Sequence, residues 1–151
     1  MDSVLVYFDV IINPGENDED VINTVSTGRI YEKNDALYVI YNEMDEVTLD
    51  EFTSVLKIDG EEITLIRYNG SREVCGRMVF AENSVNDGYY GTEQGYVDIT
   101  TETSRLKTDL TYQEGGKISI DYHIEIVGVV KTRHLLNIEV KKENTDEQEV
   151  C

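Results

Sequence analysis

The chain is poor in the residues that cross-link a fold, break its strands or balance its charge. Its 151 residues include two cysteines, one proline and no tryptophan. Cys75 and the terminal Cys151 are too few for a disulfide framework, so we expect no structural disulfide. With a single proline, Pro14, the edges of any open sheet would be poorly protected, which favours a sheet that closes on itself.

Basic residues are also scarce. Thirteen Lys and Arg residues stand against thirty-one Asp and Glu residues, giving a formal net charge of −18. Such a charge repels phosphate backbones and anionic lipid surfaces, so we expect no nucleic-acid partner and no membrane partner. Two interpretations of the charge stay open, a solvated outer surface or an acidic face for a basic protein partner. The sequence favours no particular oligomeric state.

Long hydrophobic runs are missing as well. The apolar run from Val4 to Ile12 is interrupted by Asp9 and follows no basic segment, which is typical of neither a signal peptide nor a membrane span. We therefore expect a cytoplasmic protein.

Signatures of catalysis and of cofactor binding are lacking too. The only two histidines, His123 and His134, fall on different predicted strands, and the usual zinc spacings do not occur. There is no Gly-x-Ser-x-Gly motif and no phosphate-binding glycine loop. We predict no catalytic residue, no metal and no cofactor, and an enzyme is the least supported class.

What the chain does contain is alternation. From Lys117 to Ile126, apolar and polar residues alternate strictly, which is the period of a strand buried on one face. No stretch has a convincing helical period. Strand-like runs recur along the chain: 4–12, 21–31, 36–44, 52–58, 63–68, 72–80, 89–91, 96–103, 106–112, 118–127 and 132–140.

These runs predict an all-β fold of about eight to ten strands in a meander. Such a sheet hides its apolar face by closing into a barrel or by folding into a sandwich, and we favour a single antiparallel up-and-down barrel because closure removes the edges. The barrel is predicted to form one domain over residues 1–142. Residues 143–151 carry four acids and little apolar surface, which predicts a disordered acidic tail.

Glycine-containing turns predict which side chains share a face. A two-residue loop at Asp59-Gly60 or Gly60-Glu61 places Arg67 on the same inward face as Ile63 and Leu65. A three-residue loop at 114–116 would pair even positions of the run 106–112 with even positions of the strand after it. Asp87-Gly88 is predicted to be another tight turn. By the same parity, His134 shares a face with Leu136.

Several segments together resemble the YwiB-like proteins, a bacterial family of uncharacterised function. They are Ser26-Thr-Gly28, Ala36-Leu-Tyr-Val-Ile-Tyr41, Leu65-Ile-Arg67, Arg77-Met-Val-Phe80, Tyr90-Gly-Thr-Glu-Gln-Gly95, Val97-Asp-Ile-Thr-Thr101 and Gly116-Lys-Ile-Ser-Ile-Asp-Tyr122. The resemblance implies a calycin or lipocalin-like barrel in the cytoplasm and no established activity. The stretch from Arg67 to Arg77 is about one residue longer than the resemblance leads us to expect.

The candidate ligand-binding residues are Arg67, Thr101, Thr103 and Tyr122. A guanidinium on a core-facing position must find acceptors, either in a structural clamp or in a bound anion, or lie at the barrel mouth. The two threonines and the tyrosine either complete a polar patch beside it or hydrogen-bond to one another or to water, and the sequence leaves both alternatives open. His134 is interpreted as a hydrogen-bonded core residue. Cys75 is interpreted as a small strand residue.

Two functions from different classes remain. The first is a barrel that binds an apolar or amphipathic small molecule in its interior, through the four residues just named. The second is an acidic protein-interaction or scaffolding module with a filled core, for which the ten tyrosines would supply an exposed aromatic surface.

Overall fold

Ten antiparallel strands account for most of the described chain. The computed structural model of the protein describes residues 2–44, 48–92, 95–126 and 128–143. The predicted tail lies outside these residues from position 144 onward. The strands are β1 Asp2–Ile12, β2 Asp20–Lys33, β3 Ala36–Met44, β4 Glu51–Asp59, β5 Glu62–Tyr68, β6 Val74–Ala81, β7 Ser84–Thr92, β8 Gly95–Thr108, β9 Gly116–Ile126 and β10 Val130–Lys142.

The sheet is a closed up-and-down barrel. Each strand pairs with its neighbours in the chain, and β1 closes the sheet by pairing antiparallel with β10 as well as with β2. Val6, for example, stands opposite Ser26 on one side and Val140 on the other. The all-β fold and the antiparallel barrel predicted from the sequence are thus confirmed. Within the described ranges, no helix is long and apolar enough to cross a bilayer.

The core follows directly from the alternation in the sequence. In each strand every second side chain points inward, and these positions carry mostly Val, Ile, Leu and aromatic residues. The largest side chains that are completely buried include Tyr41, Phe80, Ile30, Leu56, Ile63, Ile118 and Ile138. Burying one such side chain contributes about 1.5–3 kcal/mol, so the inward rows supply most of the drive to close the barrel.

The two ends of the barrel differ. The capped end carries the turns after β2, β4 and β6 and the longer connection 109–115, whose Leu110 and Tyr112 pack against the core. Lys142 connects β10 to two other parts of this end. Its Nζ donates to the Tyr112 carbonyl oxygen in the connection 109–115 at 2.9 Å and forms an ion pair with Asp2 of β1. Strands β1, β3, β5, β7 and β9 end at the open end.

Two β-bulges, which the sequence did not predict, alter the strand boundaries and the strand register. The runs 96–103 and 106–112 are not two strands: residues 95–108 form the single strand β8, in which the register shifts between Thr103 and Arg105. The bulge moves the inward side chains from odd to even positions, which explains the apparent break in the pattern. A second register shift lies between β5 and β6: Arg67 pairs with Gly76 and Tyr68 with Val74, so Cys75 is an extra residue on β6. It accounts for the additional residue noted between Arg67 and Arg77.

Two turns also lie elsewhere than expected. Asp87-Gly88 is inside β7, and the chain turns at Glu82-Asn83, where Asn83 takes a positive φ of 59°. Gly88 is required by close approach, because a Cβ there would lie 2.3 Å from the Arg77 carbonyl oxygen.

After β8 the chain turns at 112–114, closed by hydrogen bonds between Thr111 and Gly115, and not at 114–116. The predicted pairing of even with even positions is nevertheless correct, as Leu106 faces Ile120. Leu110 and Tyr112 lie in the connection beyond the end of β8.

The hairpin between β4 and β5 follows the second of the two predicted loops. Asp59 pairs with Glu62, so Gly60-Glu61 forms the loop, with Gly60 at a φ of 61°. This register sets Ser54 opposite Arg67 and thereby puts Arg67 on the inward face, as predicted.

Candidate functional site: the mouth cavity

A cavity of about 370 Å³ runs into the barrel from the open end, and we call it the mouth cavity. Among the described residues, every strand except β8 contributes to its lining. The lining residues are Phe8, Val10, Ile12, Ile22, Tyr41, Glu43, Ser54, Leu65, Arg67, Gly76, Arg77, Met78, Tyr90, Tyr122, His134 and Leu136. A cavity of this size falls at the lower end of the range for small-molecule sites.

The walls are mainly apolar. Phe8 and Val10 of β1, Leu65 of β5 and Leu136 of β10 face the space from positions that continue the core rows. Phe8 also packs against the ring of Tyr41, with ring centroids 4.9 Å apart. These walls suit a hydrocarbon or aromatic body and offer it few hydrogen-bonding groups.

Polar side chains gather at one part of the mouth because the strand register brings them into neighbouring positions. Tyr41 stands opposite Ser54, Ser54 opposite Arg67, Arg67 opposite Gly76 and Gly76 opposite Tyr90. Since inward positions recur at every second residue, Glu43 on β3 lies one inward step from Tyr41 toward the open end.

Glu43, Ser54 and Arg67 form the mouth cluster. The Ser54 hydroxyl donates to Glu43 Oε2 at 3.0 Å, and Arg67 Nε lies 3.6 Å from the same oxygen. Ser54 is buried, while the side chains of Arg67 and Glu43 are 24% and 36% exposed. The cluster therefore combines one positive and one negative charge at the boundary between solvent and an apolar interior.

The Arg67 guanidinium is held by aromatic rings. Its Cζ lies 3.9 Å from the centroid of the Phe52 ring, and its Nη1 donates to the Tyr90 hydroxyl at 2.5 Å. Its buried Nε–H has no hydrogen-bond acceptor among the described residues. Stacking on an aromatic face suits a guanidinium, because the group is planar and weakly hydrated.

The opposite wall carries Tyr122 and His134. Their rings are stacked with centroids 5.1 Å apart, and a His134 ring nitrogen lies 2.9 Å from the Thr132 hydroxyl. Burial lowers the pKa of His134, and nearby His123 lowers it further. Burial raises the pKa of Tyr122. At neutral pH this wall is therefore uncharged, in contrast to the mouth cluster.

Burial also raises the pKa of Tyr41, with a further contribution from the Glu43 carboxylate. A tyrosine that resists ionisation adds a neutral hydroxyl beside the charged pair. The mouth cavity thus has a mainly hydrocarbon interior, neutral aromatic hydroxyls, one ion pair and one further positive charge at its edge, that of the exposed Arg77.

An outer cleft of about 550 Å³ adjoins the mouth cavity and shares Arg67 and Tyr90 with it. Cys75, the extra residue of the β6 bulge, lines this cleft, and burial raises the pKa of its thiol. A thiol with a raised pKa is a poor nucleophile at neutral pH, so it does not mark a reactive site.

The four predicted site residues do not form one patch. Arg67 and Tyr122 both line the mouth cavity, but Thr101 and Thr103 lie on β8 and line none of it. The two threonines are buried inward, as their parity predicts, and their hydroxyls have no hydrogen-bond partner among the described residues. The two threonines are separated from Arg67 and Tyr122 because no residue of β8 lines the cavity. A ligand-binding role for any of the four stays a prediction.

Glu43, Ser54, Tyr41 and Tyr90 were not identified from the sequence as site residues. A signal for two of them was available: Ser54 shares its parity with Phe52 and Leu56, and Glu43 falls on the Tyr41 row. A charged residue two positions beyond a buried tyrosine also faces inward, and an inward charge needs a polar partner, which indicates a polar site. Within the described ranges, the mouth cavity included, no group of three His, Cys, Asp or Glu residues is placed to hold a metal ion.

Fold and site together define a small closed antiparallel β-barrel with a cavity at one end. Residues 9–138 match a domain family described as "Domain of unknown function (DUF1934)", and the chain belongs to that family. The crystal structure of the YwiB protein from Bacillus subtilis is similar, with a TM-score of 0.80 at 21% identity over 95% of this chain and 93% of that chain. The resemblance to YwiB-like proteins is thus confirmed, and at this identity the likeness shows the fold. No protein with a curated description matches.

Proposed function

We propose that the protein binds an amphipathic small molecule in the mouth cavity, with the apolar body inside the barrel and a polar head at the mouth cluster. The observation that carries this proposal is an ion pair, Glu43 with Arg67, placed at the entrance of a mainly apolar cavity. A filled core would leave no such space behind a polar entrance. From the four original candidates, the proposal keeps Arg67 and Tyr122 and adds Glu43 and Ser54.

The size of the cavity limits the ligand. At the packing density of a protein interior, 370 Å³ holds on the order of a dozen non-hydrogen atoms. A longer molecule would extend past Arg67 and Tyr90 into the outer cleft, since both residues line the two spaces.

Native mass spectrometry of the protein purified from its own cells tests the proposal. We expect a co-purifying small molecule on the wild type and its loss from Gly76→Ile. Gly76 lines the cavity, and a Cβ there meets only ordinary contacts, the nearest at 3.6 Å, so the backbone tolerates a Cβ and the rest of the isoleucine side chain would occupy cavity space.

Gly70→Ala is the matched control, because Gly70 lies outside the cavity and a Cβ there also meets only an ordinary contact, at 3.7 Å. It should retain the ligand. A wild-type protein that carries no ligand and has a cavity filled by its own side chains in a crystal would refute the proposal.

A second candidate, an acidic module for protein interaction, is supported by the surface of the open end. Eight of the ten exposed large hydrophobic residues of the described chain lie at or next to the loops of this end, with relative exposures from 43% to 76%. They are Val21, Ile22, Met44, Leu49, Tyr90, Tyr96, Val129 and Val130. We call them the apolar rim. An apolar rim on a strongly acidic protein fits a partner segment that is both apolar and basic.

Titration with two synthetic amphipathic peptides, one of Leu and Lys and one of Leu and Glu, separates this candidate from the first. The module predicts binding of the Lys peptide alone, weakened by Leu49→Ser and Tyr96→Ser. Val85→Ser serves as the control, since Val85 is 62% exposed but lies near the capped end. Equal binding to the wild type and all three variants would count against the module.

Two finer expectations belong to the proposal as well. Kinship with lipocalin-like barrels is supported by the closed antiparallel sheet with a cavity at one end. A cytoplasmic location is supported by the scarcity of cysteine and by the free thiol of Cys75.

A further inference from the structure

We propose that the ligand's head is an uncharged group that both donates and accepts hydrogen bonds, of the carboxamide type, and is neither a carboxylate nor an ammonium. This inference rests on the proposed function, because it specifies the chemistry of the molecule in the mouth cavity. It starts from the composition of the mouth cluster, whose two charges cancel. Arg77, the remaining charged residue of the lining, stands at an outward position of β6 and is exposed to solvent.

A carboxylate head is disfavoured by Glu43. Arg67 Nε lies 3.6 Å from Glu43 Oε2, so an anion seated on the guanidinium comes close to a second carboxylate. Like charges repel strongly at the edge of an apolar cavity, where the effective dielectric constant is lower than in water. The net charge of −18 also repels an anion that approaches from solution.

Displacing Glu43 does not solve the problem. If an anion took its place beside Arg67, the Glu43 carboxylate would keep only the Ser54 hydroxyl as a partner. A charge that loses its counter-ion in a partly buried place is costly. An ammonium head has the mirror-image problem, since it would compete with Arg67 for Glu43 and leave the guanidinium with an aromatic ring and one tyrosine hydroxyl.

The hydrogen-bonding groups left over in the cluster define the head that fits. Arg67 has five N–H donors, of which one is given to Tyr90, and its buried Nε–H has no acceptor among the described residues. Glu43 accepts from Ser54 and has further lone pairs. A carboxamide can accept from Arg67 through its oxygen and donate to Glu43 through its NH₂ without separating the ion pair.

Four probes with the same eight-carbon chain test the inference: octanamide, octanoate, octylammonium and octanol. Each has about ten non-hydrogen atoms and so fits the volume of the mouth cavity. Dissociation constants are measured on the wild-type protein at pH 7 by calorimetric or NMR titration. We expect octanamide to bind on the order of tenfold more tightly than octanoate or octylammonium, with octanol in between, because an unmatched charge is costlier than a missing hydrogen bond.

Replacement of the carboxylate should reverse the preference. In Glu43→Gln the repelling charge is gone while Arg67 remains, so octanoate should gain affinity and octanamide should lose its advantage. Glu62→Gln removes one negative charge from an exposed position at the capped end and should keep the wild-type order of affinities.

The outcomes separate this inference from the proposed function. Binding of octanoate or octylammonium as tightly as octanamide overturns the inference about the head and leaves small-molecule binding intact. The absence of binding by all four probes overturns both. The ranking on the wild type decides the matter by itself if Glu43→Gln does not fold.

Discussion

Arg67 connects the apolar interior, the outer cleft and the ion pair of the mouth cluster. It owes this position to parity: Ile63, Leu65 and Arg67 lie on one inward row, and the row ends at the open end of the barrel. A guanidinium is suited to the place because Phe52 covers it at 3.9 Å while Tyr90 accepts one of its hydrogens.

The first prediction concerns the coupling between Arg67 and Glu43. Arg67→Leu should lower the free energy of unfolding by about 1 kcal/mol, because both side chains are partly exposed and solvent screens the loss. In a Glu43→Gln background the same change should be smaller, by about 0.5 kcal/mol, since no unpaired carboxylate remains. Urea unfolding of the four proteins measures this coupling. If the changes in unfolding free energy from the two single substitutions add up to that of the double variant, Arg67 and Glu43 do not stabilise the fold through each other.

The second prediction concerns pH and His134. Burial lowers the pKa of His134 in the folded state below the value of about 6.5 that an unfolded chain has. The unfolded state therefore binds the proton first as pH falls, so the stability due to neutral His134 is complete above pH ~6.5 and declines below it, down to the folded pKa. His134→Gln should remove this part of the pH dependence.

The measurement is the difference in unfolding free energy between wild type and His134→Gln from about pH 7.5 to pH 5. His123→Gln removes only the smaller of the two causes that lower the pKa of His134 and leaves the burial of its ring, so most of the pH dependence should remain in that variant. A difference in unfolding free energy that stays constant over this pH range would contradict the prediction, because burial of a neutral His134 would then not contribute to the pH dependence of stability.

At the scale of the element, the hairpin between β4 and β5 was predictable, whereas the turn at Glu82-Asn83 and the two bulges were not. The loop Gly60-Glu61 sets the register of β4 and β5 by local turn chemistry, so the placement of Arg67 follows from a few residues. The bulge at Thr103 and Arg105 is different, because its position depends on how β8 fits β9 across the barrel. Sequence alternation records such a bulge as a break between two strands.

The same contrast explains the candidate site. Arg67 and Tyr122 were placed by parity within a strand, and both line the mouth cavity. Thr101 and Thr103 were also placed correctly as inward residues, but parity does not say which strands border a cavity. That depends on the shape of the closed barrel and on the sizes of side chains from nine strands, which are long-range properties.

The third prediction concerns Gly88 inside β7. Gly88→Ala should destabilise the protein by about 1–3 kcal/mol, because the new Cβ would lie 2.3 Å from the Arg77 carbonyl oxygen and force β6 and β7 apart. Gly70→Ala, where the nearest atom is at 3.7 Å, should change stability by less than about 0.5 kcal/mol. Thermal and urea unfolding provide the comparison. Equal effects at both positions would contradict the close packing of β6 on β7.

At the scale of the whole molecule, closure and charge act in opposite directions. Pairing of β1 with β10 joins the two ends of the described chain and closes the sheet. A net charge of −18 on the protein opposes that compaction by self-repulsion.

The fourth prediction is that added salt stabilises the barrel. Raising the ionic strength from about 0.01 M to about 0.15 M shortens the Debye length from ~30 Å to ~8 Å, which screens the repulsion between distant carboxylates. The midpoint of thermal unfolding should rise by several degrees over this range and much less at a pH near the isoelectric point of about 4.3. A midpoint that falls with salt at neutral pH would mean that screened attractions outweigh the repulsion.

The central claim is that the mouth cavity receives the body of a small amphipathic molecule. Methyl NMR of the wild-type protein during titration with octanamide tests it most directly. We predict saturable shifts of Val10, Leu65, Met78 and Leu136, which line the cavity, and none at Val4 and Ile118, which lie in the core outside it. The claim is contradicted if the cavity methyls stay unchanged at millimolar octanamide, or if only methyls on the outer surface respond.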